Sequence, residues 1–600
     1  MIILGCNGFS RSAEMFAEHY GAVGTEKHYL LGHDAGAALL VDGELVAAVE
    51  EERLNRQKKT SDFPINSIRW VLDHAGIGFG DVDLIAIPWN FDAKVFDSTL
   101  AELASIPMSP MEKLVRLNHI GMVFATVLGH DAILADFAAR TGFTPDPAKV
   151  VFVPHHFAHA MTGYYMAGAK DAAFLISDGR AELLSSLTGE IRDGRIRVFE
   201  DSFVTANDSL GNLYSCVTRF LGFVPNNDEY KVMGLAGFGE PPSPNPFLEH
   251  FVELHEGGRY TMVLPNDLEN PRQFEPLLEK HFGPAQTTIE YQSRVAAAVQ
   301  EMVTVVTRHQ VAALETRTDL DHLLVEGGVA LNCVNNTELL ESSRFSDVSV
   351  SFGASDTGVA IGAAVFAWAN HPTNTAEVKY APSVTPYLGP EYDDAEVERA
   401  LGEFADRVEW TARLTDDEVV DQVAELLTGK VVIGWFEGRI EHGPRALGHR
   451  SILANPNFPD IKDIINNRVK HREPFRPFAP LVMEHDAPKV FEMGRKIRSP
   501  YMTFVFPVRP EFREVIPGAV HVDGTSRVQT VTTEQTPRLA ALLQRFTTLT
   551  NVPCLINTSF NVAGEPIVCS PADALNCFLS TEIDHLVLGN RLVTKRVTGA

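Results

Sequence analysis

Four short apolar runs in this chain end in the same way, in a turn of Gly, Asp or His that opens into helix-like sequence. Residues 150–153 run into His155-His156, and 172–176 into Ser177-Asp178-Gly179. Residues 323–326 run into Gly327-Gly328, and 348–352 into Ala354-Ser355-Asp356-Thr357-Gly358. Short buried strands alternating with helices predict an α/β architecture. Two further apolar runs, 29–41 and 44–49, flank Asp42-Gly43 and read as a hairpin with a primed turn, which makes the sheet mixed. A strand at 83–88, helices between 98 and 141, strands around Asp193-Gly194 and a long helix at 292–316 complete the first part; no internal repeat is visible.

With 600 residues the chain exceeds one hydrophobic core, so two or three subdomains are expected. The composition, 45% hydrophobic and 22% charged, excludes a disordered or fibrous chain. Pro372, Pro382, Pro386 and Pro390 interrupt a stretch without apolar periodicity, which places a linker at 371–390 between domains at 1–370 and 391–600. Helices at about 393–404 and 415–428 and a strand at 431–436 open the second domain. A net charge of −27 repels phosphodiester backbones and anionic membranes, so neither nucleic acid nor membrane is expected as a partner. Six scattered cysteines without a C-x-x-C pair, no signal peptide and no apolar run of spanning length predict a soluble cytoplasmic protein. A homodimer is compatible with a protein of this size.

Three groups of residues can carry chemistry. His155 and His159 are four apart, so on a helix both reach one metal ion; the alternative is a pair of hydrogen-bonded core imidazoles. The turns at Ser177-Asp178-Gly179, Gly327-Gly328 and 353–358 suit a nucleotide split between two half-domains, or are simply turns. Lys231 could reach a phosphate there, or be an ordinary surface lysine. In the second domain Arg439, Arg445 and Arg450, then Lys470 and Arg476, then Arg527, lie among Gly, Pro and aromatic residues. Prolines forbid one solvated helical face, leaving either a pocket for a small anion or an ion-pair network.

These segments, in order, resemble the carbamoyltransferase family that includes the nodulation-factor and tobramycin O-carbamoyltransferases. The matching stretches are His33-Asp34, Glu50-Glu51-Glu52-Arg53, His155-His156-Phe157-Ala158-His159, Glu229-Tyr230-Lys231-Val232-Met233-Gly234 and Gly327-Gly328-Val329-Ala330-Leu331-Asn332. His442-Gly443-Pro444-Arg445-Ala446-Leu447-Gly448, Phe475-Arg476-Pro477-Phe478, His521-Val522-Asp523-Gly524-Thr525-Ser526-Arg527 and Asn557-Thr558-Ser559-Phe560-Asn561 follow.

The resemblance implies an actin-like first domain (ASKHA type, similar to tRNA threonylcarbamoyl-transferring enzymes) with mixed sheets, and a YrdC-like second domain. It implies carbamoyl phosphate and ATP as substrates, Mg(II) with the nucleotide, Fe(II) in the first domain and a hydroxylated small molecule as acceptor. By the same resemblance His155, His159 and Asp356 are metal ligands. Asp178, Gly179, Lys231, Gly327, Gly328 and Asn332 face the nucleotide, and Arg445, Lys470, Arg476 and Arg527 hold carbamoyl phosphate. His33 and Asp34 are candidates near the acceptor or the adenylate phosphate. A tRNA-modifying enzyme, an actin-like kinase or ATPase, and a regulatory nucleotide-binding module are the competing readings. One departure concerns Ala181, where the family shows glycine and a positive φ would strain the turn.

Overall fold

Two sheets with one strand order build the first unit. The computed structural model describes residues 1–9, 31–105, 109–262, 274–372, 385–473 and 475–596, so most of the expected linker lies outside the described residues. The chain divides into two compact units, one ending at Val384 and one from Thr385 onward, with Arg56–Lys58 counted in the second.

In the first sheet β1 (Ile2–Asn7) is central. β2 (Gly36–Val41) and β3 (Glu44–Glu50) follow it antiparallel on one side; β4 (Leu84–Ile87) and β5 (Val150–Phe152) lie parallel on the other. The second sheet repeats the plan. β6 (Asp171–Ser177) is central, β7 (Leu184–Arg192) and β8 (Arg195–Val198) extend it antiparallel, and β9 (His322–Glu326) and β10 (Asp347–Ser349) extend it parallel. The order 3-2-1-4-5 occurs twice in one unit, which is the duplicated plan of an actin-like fold. The repeat that the sequence hid reaches to the turns. Asp42-Gly43 and Asp193-Gly194 both join the second and third strands, with all four residues at positive φ as a type I′ turn needs.

The strands β1, β6 and β9 are buried almost end to end because helices cover both faces. The apolar run at 348–352 is cut short, its last residues leaving the sheet as the loop before Asp356. The helix Ile289–Glu315 starts at Thr288, whose side chain accepts from the Tyr291 N–H.

The second unit holds one eight-stranded sheet. β11 (Val408–Trp410), β12 (Val432–Phe436), β13 (Arg450–Ala454), β14 (Ala479–Met483), β15 (Gln529–Val531), β16 (Cys554–Ser559), β17 (His585–Leu588) and β18 (Arg591–Lys595) lie in the order 11-18-17-12-13-16-14-15. Helices Asp394–Glu403 and Asp416–Leu427 open it, each begun by a reciprocal capping box. No single helix among the described residues is long and apolar enough to cross a membrane.

Candidate functional site

The helix His155–Ala167 begins where β5 ends and packs on the second sheet, so the histidine pair sits at a buried helix start. Glu182, on the turn after β6, fixes that start: its carboxylate accepts from the N–H groups of His155 (3.1 Å) and Asn90 (2.7 Å). Both histidines are 0% exposed, and their Nε2 atoms face each other at 3.2 Å. His155 Nδ1 lies 3.0 Å from the Pro88 carbonyl, an acceptor only, so Nδ1 carries a proton and Nε2 is the nitrogen turned toward His159.

Two carboxylates close the group. Asp178 Oδ2 is 3.4 Å from each histidine Nε2, and Asp356 Oδ1 is 3.3 Å from His155 and 3.5 Å from His159. The four donor atoms lie within 4.8 Å of one another. Asp356 arrives there through close packing. The helix Val359–Ala369 approaches His155–Ala167 so tightly that a Cβ on Gly362 would stand 1.9 Å from the Ala158 carbonyl oxygen. Thr162 Oγ1 then donates to the Gly358 carbonyl at 2.8 Å, tying the Asp356 turn to the histidine helix.

The four groups hold one another in their charged forms. Burial opposes a charged imidazole at His155, yet Asp356 and Asp178 hold its pKa well above the usual value. Burial likewise opposes the anion at Asp178 and Asp356, and the histidines hold both carboxyls well down. At His156 burial outweighs the pull of Asp178, pushes the pKa down to about 3 and keeps the ring neutral. Two imidazole nitrogens with two carboxylate oxygens form a donor set that suits iron(II) or zinc.

The other first-unit residues that the sequence singles out fall into two sets. His33 and Asp34 sit at the rim of the cluster: His33 Nδ1 is 2.9 Å from Asp34 Oδ2, and His33 Nε2 is 3.8 Å from Asp356 Oδ2. Asp178, expected at the nucleotide, also stands in the cluster. Gly327 and Gly328 place it: Gly327 takes φ +92, and the Gly328 N–H donates to Asp178 Oδ1 at 2.9 Å. Gly179 packs beside Asn212 on the following helix. Asn332 caps the helix Cys333–Ser342 and exchanges hydrogen bonds with Gln300. Lys231 pairs with Asp228 at 2.9 Å and lies over the Phe223 ring. Ala181 has no positive φ, so the alanine costs the turn nothing.

Sequence reasoning missed four residues here, because only the fold brings them in. Trp89 stacks on His155 at 3.8 Å and donates to Asn7 Oδ1; Asn7 Nδ2 in turn donates to the His33 carbonyl. Lys59, bonded to the Asn226 carbonyl, feels the charges of Asp34, Glu229 and Glu52. Glu326 is fully buried under Ser351, and burial pushes its carboxyl up to about 7.

In the second unit the topology collects the basic residues. β13, β14 and β15 share one direction, and β16 runs against β13 and β14. Residues just before β13 (Arg445), β14 (Lys470, Arg476) and β15 (Arg527) therefore emerge at the sheet end where β16 delivers Asn557 to Asn561. Lys470 is 3% exposed and bonds to both Ser559 and Asn561, including Asn561 Oδ1 at 2.8 Å. Burial lowers its pKa well below the usual range, and Arg472 and Arg476 add to that. Arg476 lies 3.6 Å from Glu473, and Arg445 donates to the Tyr501 carbonyl at 3.2 Å. Arg450 is structural: fully buried, it donates to the Glu437 and Gly438 carbonyls and covers the Phe436 ring at 3.6 Å. Glu441 holds the preceding loop, its Oε1 accepting from the N–H groups of Leu447, His449 and Arg450.

Comparison with known proteins decides the family. The carbamoyltransferase N-terminus matches residues 23–365 and the carbamoyltransferase C-terminus residues 424–595. The chain belongs to the carbamoyltransferase family. This carbamoyltransferase is 36% identical over 573 residues to nodulation protein NolNO of Sinorhizobium fredii, spanning 94% of this chain and 79% of that protein. It is 37% identical over 449 residues to nodulation protein NolO of Bradyrhizobium diazoefficiens (74% and 79% of the two chains). Nodulation protein U of Rhizobium tropici is 28% identical over 609 residues. Among solved structures, HypF of T. kodakarensis aligns with 61% of this carbamoyltransferase and 47% of its own chain (TM-score 0.32, 10% identity). A ROK family glucokinase from Streptomyces griseus aligns with the same share and 98% of its own chain (TM-score 0.26, 13% identity).

Proposed function

We propose that this protein is an ATP-dependent O-carbamoyltransferase working in two half-reactions, activation in the second unit and transfer in the first. The observation that carries this reading is the buried convergence of His155, His159, Asp178 and Asp356 in a chain of the carbamoyltransferase family.

The second unit, read as YrdC-like, takes carbamoyl phosphate and ATP with Mg(II). Balance requires one water: it opens carbamoyl phosphate to carbamate and phosphate. A carbamate oxygen then attacks the α-phosphorus of ATP, the bond to pyrophosphate breaks, and carbamoyl adenylate remains. Arg445, Lys470, Arg476 and Arg527 are suited to this work, because fixed cations recognise a small dianion and stabilise charge moving onto phosphate. The buried Lys470 gains most, since an anion beside it supplies the missing counter-charge.

In the first unit an acceptor hydroxyl oxygen attacks the carbamoyl carbon and the C–O bond to the adenylate breaks. AMP leaves with the electron pair, and the hydroxyl proton passes to the His33–Asp34 pair. The turns at Gly179, Gly327 and Gly328, with Lys231 and Asn332, form the adenosine side of this site. His155, His159, Asp178 and Asp356 would hold iron(II), which when bound polarises the adenylate phosphate as a Lewis acid. The acceptor is a hydroxylated small molecule.

The test is to incubate the protein with ATP, Mg(II) and carbamoyl phosphate and measure pyrophosphate. Folded, iron-loaded protein that releases none overturns the proposal.

A further inference from the structure

Trp89, whose ring stacks on His155, also lines a cavity of about 410 Å³. Phe9, Phe63, Ile133 and Phe137 supply much of the remaining wall, and Asp136 is the one charged residue among the described lining. Its place follows from the topology. Phe9 comes just after β1 and Trp89 just after β4, while His155 comes just after β5, so cavity and histidines share the carboxyl ends of three adjacent parallel strands. That crevice is where open α/β sheets bind ligands. One wall is the π-helical turn Phe124–Leu128, a distortion common at functional sites. Ala125, Thr126 and Ala135 are exposed along the lining, which gives a ligand its entrance.

We propose that this cavity holds the apolar body of the acceptor alcohol. The volume is that of a small-molecule pocket, and a wall with so few polar groups rewards aromatic or aliphatic surface while penalising unpaired sugar hydroxyls. The bonds of Asn7 connect the cavity to the transfer site, since it takes the Trp89 N–H and donates to the His33 carbonyl. Gly8, in the cavity wall, packs so closely on Ala35 that the wall lies one residue from Asp34. An alcohol seated there presents its hydroxyl toward His33 and Asp34. The inference rests on the proposed carbamoyl transfer and adds the acceptor's class: a hydroxyl carried on an apolar, aromatic-sized group.

The test uses 2-(naphthalen-2-yl)ethanol as a fluorescent probe on the full-length protein, with glucosamine as a polar competitor. Saturable probe binding is expected, unaffected by glucosamine, and weakened tenfold or more by Ala132→Phe and by Ala135→Phe, both of which fill the lining. Circular dichroism and the melting midpoint show whether each variant is folded, and either one alone suffices. No saturable binding, equal affinity in wild type and a folded variant, or displacement by glucosamine overturns the inference. Pyrophosphate release by the wild-type protein is scored separately. Its absence with cavity-dependent probe binding defeats the carbamoyl-transfer reading, whereas its presence without probe binding defeats only the cavity assignment.

Discussion

The Gly328 amide donates to Asp178 Oδ1 at 2.9 Å, and this bond leaves Oδ2 as the oxygen that meets His155 and His159 at 3.4 Å. A turn that looks like a nucleotide loop in sequence thus orients a carboxylate toward two imidazoles. Asp178→Ala should weaken iron(II) binding roughly 100-fold or more, as removing a ligand exceeds the 10–100-fold cost of losing a supporting bond. Competition against a chromophoric chelator measures it, and unchanged affinity removes Asp178 from the cluster.

The division of labour gives a crossed pair of results. Lys470→Ala and Arg476→Ala should abolish pyrophosphate formation yet keep transfer from preformed carbamoyl adenylate, and His159→Ala should do the reverse. Loss of one and the same half-reaction in all three variants refutes the assignment of halves to units.

Two exchanges near Asp178 should both destabilise, one by leaving the family residue and the other by restoring it. Gly327→Ala puts a Cβ 2.3 Å from the Ser177 carbonyl oxygen at φ +92, which should cost about 3 kcal/mol and lower the melting midpoint. Ala181→Gly restores the family residue where no positive φ exists, so it should destabilise by about 0.5–1 kcal/mol through chain entropy. A more stable Ala181→Gly protein contradicts this.

Glu441→Ala strips the acceptor from three N–H groups, the buried ones of Leu447 and Arg450 and the half-buried one of His449. At about 1–3 kcal/mol for each unsatisfied donor, the loss should be roughly 3 kcal/mol or more. Denaturant titration followed by circular dichroism reports it, and a shift below 1 kcal/mol (~) would show that water replaces the carboxylate.

Glu326 makes stability depend on pH in a known direction. Burial raises its pKa from 4.5 to about 7 in the folded protein. Folding therefore favours the protonated acid, with its contribution fully present below pH 4.5 and lost as pH rises through about 7. Glu326→Gln should remove up to about 3 kcal/mol of that loss, so its stability relative to wild type should rise between pH 5 and 8. Parallel stability curves for the two proteins over that window refute the shift.

The strand ends were legible because glycine, aspartate and histidine interrupt apolar runs. His155 and His159 could be read as facing one way from spacing alone, since four residues make one helical turn. That Asp178 also stands beside the histidines is not legible in the sequence, because its context is a turn and its partner, the Gly328 amide, lies 150 residues away. Trp89, Asn7 and Lys59 escaped for the same reason: each acts through a contact between distant segments and looks ordinary where it stands. The basic residues of the second unit were visible as a charge pattern. Sequence did not show that Arg450 spends its donors on backbone carbonyls while Lys470 is shut in with Ser559 and Asn561.

The duplicated strand order carries a mechanical meaning. His155 and His159 follow the first sheet, whereas Asp178 and Asp356 hang from the second, so each copy contributes two of the four donor atoms. A cation seated among them would rivet twin halves together, and any hinge between the copies could swing only by stretching its coordination bonds.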